Sequence, residues 1–242
     1  MFLVLRPASK LAQTESAFSA AKLAHCVLAP IDIEPLPAEP PSIAPELLIV
    51  TSTYAAEWLA NHAAHLIPSE TDRILTLGAS TAAALQHQNK ICSVFPPTSE
   101  GVLQDQRLHS PDQYKNVLIC KGSGGRTLLK KTLDQRGFKV NELCVYRRVV
   151  LSHAIRSQHY EPEHIHCIMA ASTDVIDATF GLLDPTWLRE KHWVVPSERI
   201  AKHLKLYGIS SVSLAANASN HGFIAAAHTY IKVRDKHHVG RQ

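Results

Sequence analysis

The chain has 242 residues, 45% hydrophobic and 19% charged, with a formal net charge of +4 and a pI near 8.8. That length suits two domains better than one. The mild charge, with no Lys/Arg run and no interleaving of aromatic and basic residues, argues against a nucleic-acid partner and fits a small anionic ligand.

The opening segment, Met1 to Pro7, has no basic start and too short an apolar run for a signal peptide, and it reads as a first strand. No stretch approaches the roughly 18 apolar residues of a membrane span, so a cytoplasmic protein away from membranes is expected. Next comes an extended, alternating segment at 31–36, followed by a proline-rich stretch from Pro35 to Pro45 that resists helix and marks a junction. Short apolar runs at 47–52, 74–78, 117–122, 167–172 and 193–197 each end in small polar residues and lead into alanine-rich helical stretches. Strand alternating with helix predicts parallel sheets covered on both faces. A second extended segment, 143–150, holds Tyr146, Arg147 and Arg148; with 31–36 it is read as a pair of strands crossing between domains. After Lys232 the chain is expected to end as a frayed basic tail.

These units recur in order. Residues 2–6 match 117–121, Ser52-Thr53 matches Ser172-Thr173, Ala82-x-x-Leu85 matches Ala201-x-x-Leu204, and 101–103 match 222–224, all at offsets of about 115–121 residues. Helix stops at Asn89 and Gly208 keep the same spacing, and both residue types tolerate positive φ. A period this long indicates duplicated domains.

The five cysteines (Cys26, Cys92, Cys120, Cys144, Cys167) are far apart and include no C-x-x-C pair, which suits reduced thiols. Among the histidines, His62 with His65 and His164 with His166 form close pairs. No third ligand stands at metal-site spacing, so no metal is expected.

Ligands of open parallel sheets bind beyond the C-terminal strand ends. Here those ends carry Ser52, Thr53, Ser80, Thr81, Ser99, Gly122, Ser123, Ser172, Thr173 and Ser197. Helix capping alone explains such residues. Together they also predict a rim of free N–H groups that attracts carboxylates or phosphates. The turn Lys121-Gly122-Ser123-Gly124-Gly125-Arg126 invites a nucleotide reading, but Thr127 breaks G-x-G-x-x-G and no Gly-Lys-Ser/Thr follows. A turn that holds a carboxylate, with Arg126 available for a bidentate grip, fits as well, and so does a plain tight turn with an exposed Arg. On a strand, Tyr146 and Arg148 share a face, where the phenol could give up a proton; a ring packed with its hydroxyl in water is the plainer alternative. No nucleophile constellation is present. A non-catalytic binder of a small anion and a nucleotide-dependent enzyme both stay open on these residues.

The segments 77–85, 99–103 and 121–126, followed by Leu133, Gly137, Val140 and Val145-Tyr146-Arg147-Arg148, resemble the uroporphyrinogen-III synthase family in order and spacing, and the likeness runs from Phe2 to about Ile231. The resemblance implies an α/β fold of two similar domains, each a parallel sheet flanked by helices, joined by a two-stranded β-ladder. One domain would comprise 1–33 plus 149–242 and the other 34–148. It further implies a monomeric, cofactor-free lyase in haem biosynthesis that closes the linear tetrapyrrole hydroxymethylbilane to uroporphyrinogen III, with loss of water and inversion of ring D. A transient contact with the preceding pathway enzyme would go with it. Tyr146 takes the role of assisting departure of the hydroxyl. Ser52, Thr53, Ser80, Thr81, Ser99, Lys121, Gly122, Ser123, Arg126, Arg148, Ser172, Thr173 and Ser197 become substrate-binding candidates. Ile200 stands where the family often has threonine, so that threonine's role does not transfer; Ser197 or Arg199 is left to replace it.

Overall fold

Leucine and β-branched runs too short for a helix favour strands, and the small polar residues after them favour helix starts. The computed structural model describes residues 1–86, 92–96, 98–124 and 127–239. In it β1 (Phe2–Pro7) leads through α1 (Leu11–Ala20) to β2 (His25–Pro35). β3 (Leu47–Val50) is followed by α2 (Thr53–His62), β4 (Ile74–Leu77) by α3 (Ala79–Gln86), and β5 (Ser93–Phe95) by α4 (Ser99–Val102). β6 (Asn116–Gly122) and α5 (Leu128–Gln135) precede the long β7 (Lys139–Arg156). β8 (Cys167–Ala170) is followed by α6 (Thr173–Leu182) and α7 (Pro185–Arg189), β9 (His192–Val195) by α8 (Glu198–Leu206), and β10 (Val212–Leu214) by α9 (Asn220–Val239). The tail expected to fray after Lys232 is instead helical, because α9 continues to Val239. Asn89 lies outside the described residues; its counterpart Gly208 has φ +82° after α8.

The chain divides into two compact units, Met1–Ile33 with Val149–Gln242, and Glu34–Arg148. In the first, the strand order is β10-β9-β8-β1-β2; in the second it is β7-β6-β3-β4-β5. Every pairing described within either unit is parallel. The two orders are the same once β1 is matched to β6, β2 to β7, β8 to β3, β9 to β4 and β10 to β5. The sequence repeats fall on these pairs, as a duplication requires. β2 and β7 each run through the end of one unit into the other. In the first unit the Ser157 N–H donates to the Val27 carbonyl at 2.9 Å; in the second the Leu36 N–H donates to the Val145 carbonyl at 3.0 Å.

Alternation along the strands builds the cores. On β1, Leu3 and Leu5 join one buried cluster with Ile168, Trp193 and Val195, while Phe2 and Val4 join another with Met169, Val194 and Phe223. Both faces of that sheet are therefore dry, as a parallel sheet requires. The Trp193 indole N–H donates to the Leu188 carbonyl at 3.0 Å, so the largest buried side chain keeps its one polar atom satisfied. In the second unit Leu47, Ile49, Leu75, Val117, Ile119 and Leu133 share one cluster.

Serine caps start α2, α6 and α8, among others. Ser52, Ser172 and Ser197 accept from the N–H of Ala55, Val175 and Ile200, at 3.2, 3.4 and 3.4 Å. Ser52→Ala is expected to cost about 1 kcal/mol of stability, typical of a lost cap. A urea titration reads this as a lower midpoint at unchanged slope, and an unchanged midpoint would show that the cap contributes nothing.

Candidate functional site

Strand order in the second unit reverses between β6 and β3. Open parallel sheets bind their ligands outside such a reversal, at the carboxyl ends of the strands. A cavity of about 220 Å³ lies there, lined by Thr51, Leu77, Ser99, Ile119, Lys121, Gly122, Gly124, Leu129, Glu142, Tyr146 and Arg148.

Tyr146 forms one wall and is only 3% exposed. Its ring meets the Tyr54 ring at a centroid distance of 4.9 Å and a tilt of 58°. Opposite it, β6 comes so close that a Cβ on Gly122 would stand 2.5 Å from the Tyr146 Cζ. The ladder shifts register at this point, between Lys121 and Gly122, and the Ser123 N–H donates to the Tyr146 carbonyl at 2.6 Å. Glycine is therefore required by space, and the phenol is held between two elements. Its oxygen accepts from Arg148 Nη2 at 3.4 Å, and the guanidinium carbon lies 5.5 Å from the ring centroid. The plainer alternative, a ring with its hydroxyl in water, does not describe this buried residue.

Lys121 Nζ donates to Glu142 Oε1 at 3.0 Å. The lysine expected to meet a ligand is thus already paired inside the protein. Cys120, beside Lys121, is no nucleophile: burial pushes its thiol up to about 12.

The cavity gathers Ser99, Lys121, Gly122, Tyr146 and Arg148 from the predicted residues. Ser52, Thr53, Ser80 and Ser123 stand near the strand ends of the same unit without lining it. Thr81 is 4% exposed, its hydroxyl donates to the Leu77 carbonyl at the end of β4 at 2.8 Å, and it does not line the cavity. Ser99 is not the cap of its helix; Thr98 is, accepting from the Gly101 N–H at 3.1 Å. Arg126 and Gly125 lie outside the described residues. Ser172, Thr173 and Ser197 belong to the first unit, at the carboxyl ends of β8 and β9. Ile200 is buried, and Arg199 is exposed.

Sequence reasoning missed Thr51, Thr98 and Glu142. Thr51 and Thr98 were readable as small hydroxyls beside residues already chosen. Nothing marked Glu142, whose partner lies on another strand.

The equivalent reversal in the first unit, between β1 and β8, holds Arg6 in the place that Lys121 has in the second. Arg6 is 7% exposed and donates to the Ala218 carbonyl at 2.8 Å and to Asn220 Oδ1 at 2.9 Å, while its Nε has no hydrogen-bond partner among the described residues. Burial lowers its pKa to about 10, so it still carries its charge at neutral pH. A larger cavity in this unit, about 420 Å³, is lined by His192, Ser213, Leu214, Ala226, Thr229, Tyr230, Val233 and Arg234. It follows α9 and β10 and includes none of the predicted site residues. Among the described residues no three His, Cys, Asp or Glu side chains come together as metal ligands, and no helix is long and apolar enough to cross a membrane.

The chain is similar to known proteins along most of its length. A family model described as HEM4, uroporphyrinogen-III synthase HemD, matches residues 13–225. A protein of Escherichia coli (strain K12) named uroporphyrinogen-III synthase is 28% identical over 162 residues, which cover 62% of this chain and 64% of the relative. The match thus spans just under two thirds of that relative's length. The protein of the same name from Salmonella typhimurium is 27% identical over 209 residues, 78% of this chain and 84% of the relative. Solved uroporphyrinogen-III synthase structures share the fold. One from Thermus thermophilus superposes with a TM-score of 0.60 at 14% identity, covering 97% of this chain and 99% of that one. One from Helicobacter pylori 26695 gives 0.61 at 15% identity, covering 94% and 98%.

Proposed function

The chain belongs to the uroporphyrinogen-III synthase family, and we propose from that premise that it closes hydroxymethylbilane to uroporphyrinogen III in the second unit's cavity. One observation carries the reading: a buried phenol, fixed by Gly122 and Tyr54 and bonded to a guanidinium, faces a cavity at the strand-order reversal.

The substrate's terminal hydroxymethyl group must leave as water, which needs a proton at its oxygen. Tyr146 is the donor in this proposal, and Arg148 stabilises the phenolate that results. The azafulvene so formed is attacked by ring D through its already substituted carbon. The spiro intermediate reopens and recloses with that ring inverted. Free bilane closes by itself to the un-inverted isomer, so the protein's task is to hold a conformation that water does not favour. The cavity is smaller than a usual ligand pocket of roughly 300–1,000 Å³. It suits one pyrrole and its arms, and other carboxylates fall to polar groups of the same unit such as Ser99 and Ser123.

In the same proposal, 1–33 with 149–242 and 34–148 are two domains, with β2 and β7 forming the ladder that joins them. The enzyme works as a cytoplasmic monomer without cofactor. A transient contact with the enzyme that releases the bilane would shorten the time available for spontaneous closure. A non-catalytic anion binder is not favoured by the family.

The test supplies hydroxymethylbilane and resolves the product isomers. Isomer III is expected, and isomer I alone would sink the proposal. Tyr146→Phe should lower turnover by about tenfold to a hundredfold while the fold stays intact by circular dichroism. Undiminished turnover would remove Tyr146 from the mechanism.

A further inference from the structure

Among the described residues that line the cavity, Glu142 is the one carboxylate. A host for a polyacid gains nothing from a negative charge of its own unless that charge has work to do. Glu142 is not a stray surface group: its side chain is 27% exposed, and its partner Lys121 is 14% exposed. The register sets Ile119 against Glu142 and Lys121 against Cys144, so the lysine reaches back along the ladder to the carboxylate. That charge-assisted bond holds the carboxylate in one place.

We propose that Glu142 is a catalytic residue that stabilises the cationic azafulvene by accepting its pyrrole N–H. This rests on the function proposed above and names a second group in that site. As the terminal C–O bond breaks, its electron pair leaves on oxygen, which takes the Tyr146 phenolic proton and departs as water. The pyrrole nitrogen lone pair fills the vacancy at carbon, and positive charge spreads onto the N–H. Glu142 binds that N–H more strongly in the cation than in the neutral ring, which is the difference that lowers a barrier. No proton passes to the carboxylate. The proton lost when ring D recloses and becomes aromatic returns to the Tyr146 oxygen, so the cycle closes with one water released. The un-inverted route in free solution has no such fixed anion to stabilise its azafulvene.

A purely structural role makes a different forecast, since Glu142 would then only hold Lys121. The experiment compares wild type with Glu142→Gln, Glu142→Asp and Lys121→Met by steady-state kinetics, product isomers and thermal unfolding. Glu142→Gln keeps the shape and a hydrogen bond to Lys121 while removing the charge. It is expected to lower kcat by about tenfold to a hundredfold with KM changed less than about twofold. Glu142→Asp should recover part of the loss, and isomer I should rise as the catalysed route slows. Lys121→Met should lower kcat clearly less than Glu142→Gln does, because the carboxylate keeps its charge and loses only its tether. An undiminished kcat in Glu142→Gln overturns the inference, as does an equal loss of kcat in Lys121→Met. Should wild type give isomer I alone, the functional reading fails first and the inference falls with it; a wild type giving isomer III beside an unaffected Glu142→Gln sinks the inference alone.

Discussion

Gly122→Ala is expected to displace Tyr146 and to remove most of the activity. The added Cβ would stand 2.5 Å from Cζ and 2.6 Å from Cε2 of that ring, well inside contact distance. Backbone on β6 cannot withdraw without loosening its ladder to β3, where Val50 pairs with Cys120. The ring must therefore turn, and Tyr54 stands against its other side. Overpacking of this kind costs about 1–3 kcal/mol. If that cost falls on the phenol's position alone, it corresponds to roughly fivefold to 150-fold in rate. Turnover of hydroxymethylbilane measures the loss, and near-ultraviolet circular dichroism reports the displaced tyrosine. Wild-type turnover in this variant would show that the phenol need not occupy its observed place.

The largest loss of stability is expected from Trp193→Ala. Trp193 is fully buried, its ring lies 6.0 Å from that of Phe180, and its N–H is satisfied by Leu188. Truncation opens a cavity among side chains of β1, β8 and β9 and removes the indole donor from the Leu188 carbonyl. Removing a buried aromatic costs about 3–5 kcal/mol, a large part of the ~5–15 kcal/mol that holds a domain folded. Chemical denaturation should show the midpoint falling steeply, and Trp193→Phe should recover much of the loss. A fall below about 1 kcal/mol would mean that the surrounding side chains close the space.

Strands and their repeat were legible because the signals are local. A run such as Leu47 to Val50 bounded by Ser52 reads as a strand and a capped helix without knowing its neighbours. The extended character of 31–36 and 143–150 was legible, and the strands β2 and β7 that hold them start earlier than the sequence pattern indicated. Contacts across strands were not legible. Lys121 looked free for a ligand because nothing in the order of residues brings Glu142 to it; only the β6–β7 register does. The bond that Thr81 makes was not legible either, because a hydroxyl one turn into a helix can turn back to the preceding carbonyl as well as outward. Ser99 and Thr98 differ by one position, within the usual uncertainty of a helix start.

The matched positions Arg6 and Lys121 have drifted apart in chemistry. Lys121 is neutralised by Glu142, whereas Arg6 leans on neutral oxygens and the face of Phe223, 4.8 Å from its ring centroid. Equivalent places in the two units therefore carry different fields: a lysine closed into an ion pair in one, a buried guanidinium resting on neutral acceptors in the other. An anion near either strand-order reversal would be met differently, so each unit can change its own preference without disturbing the other's.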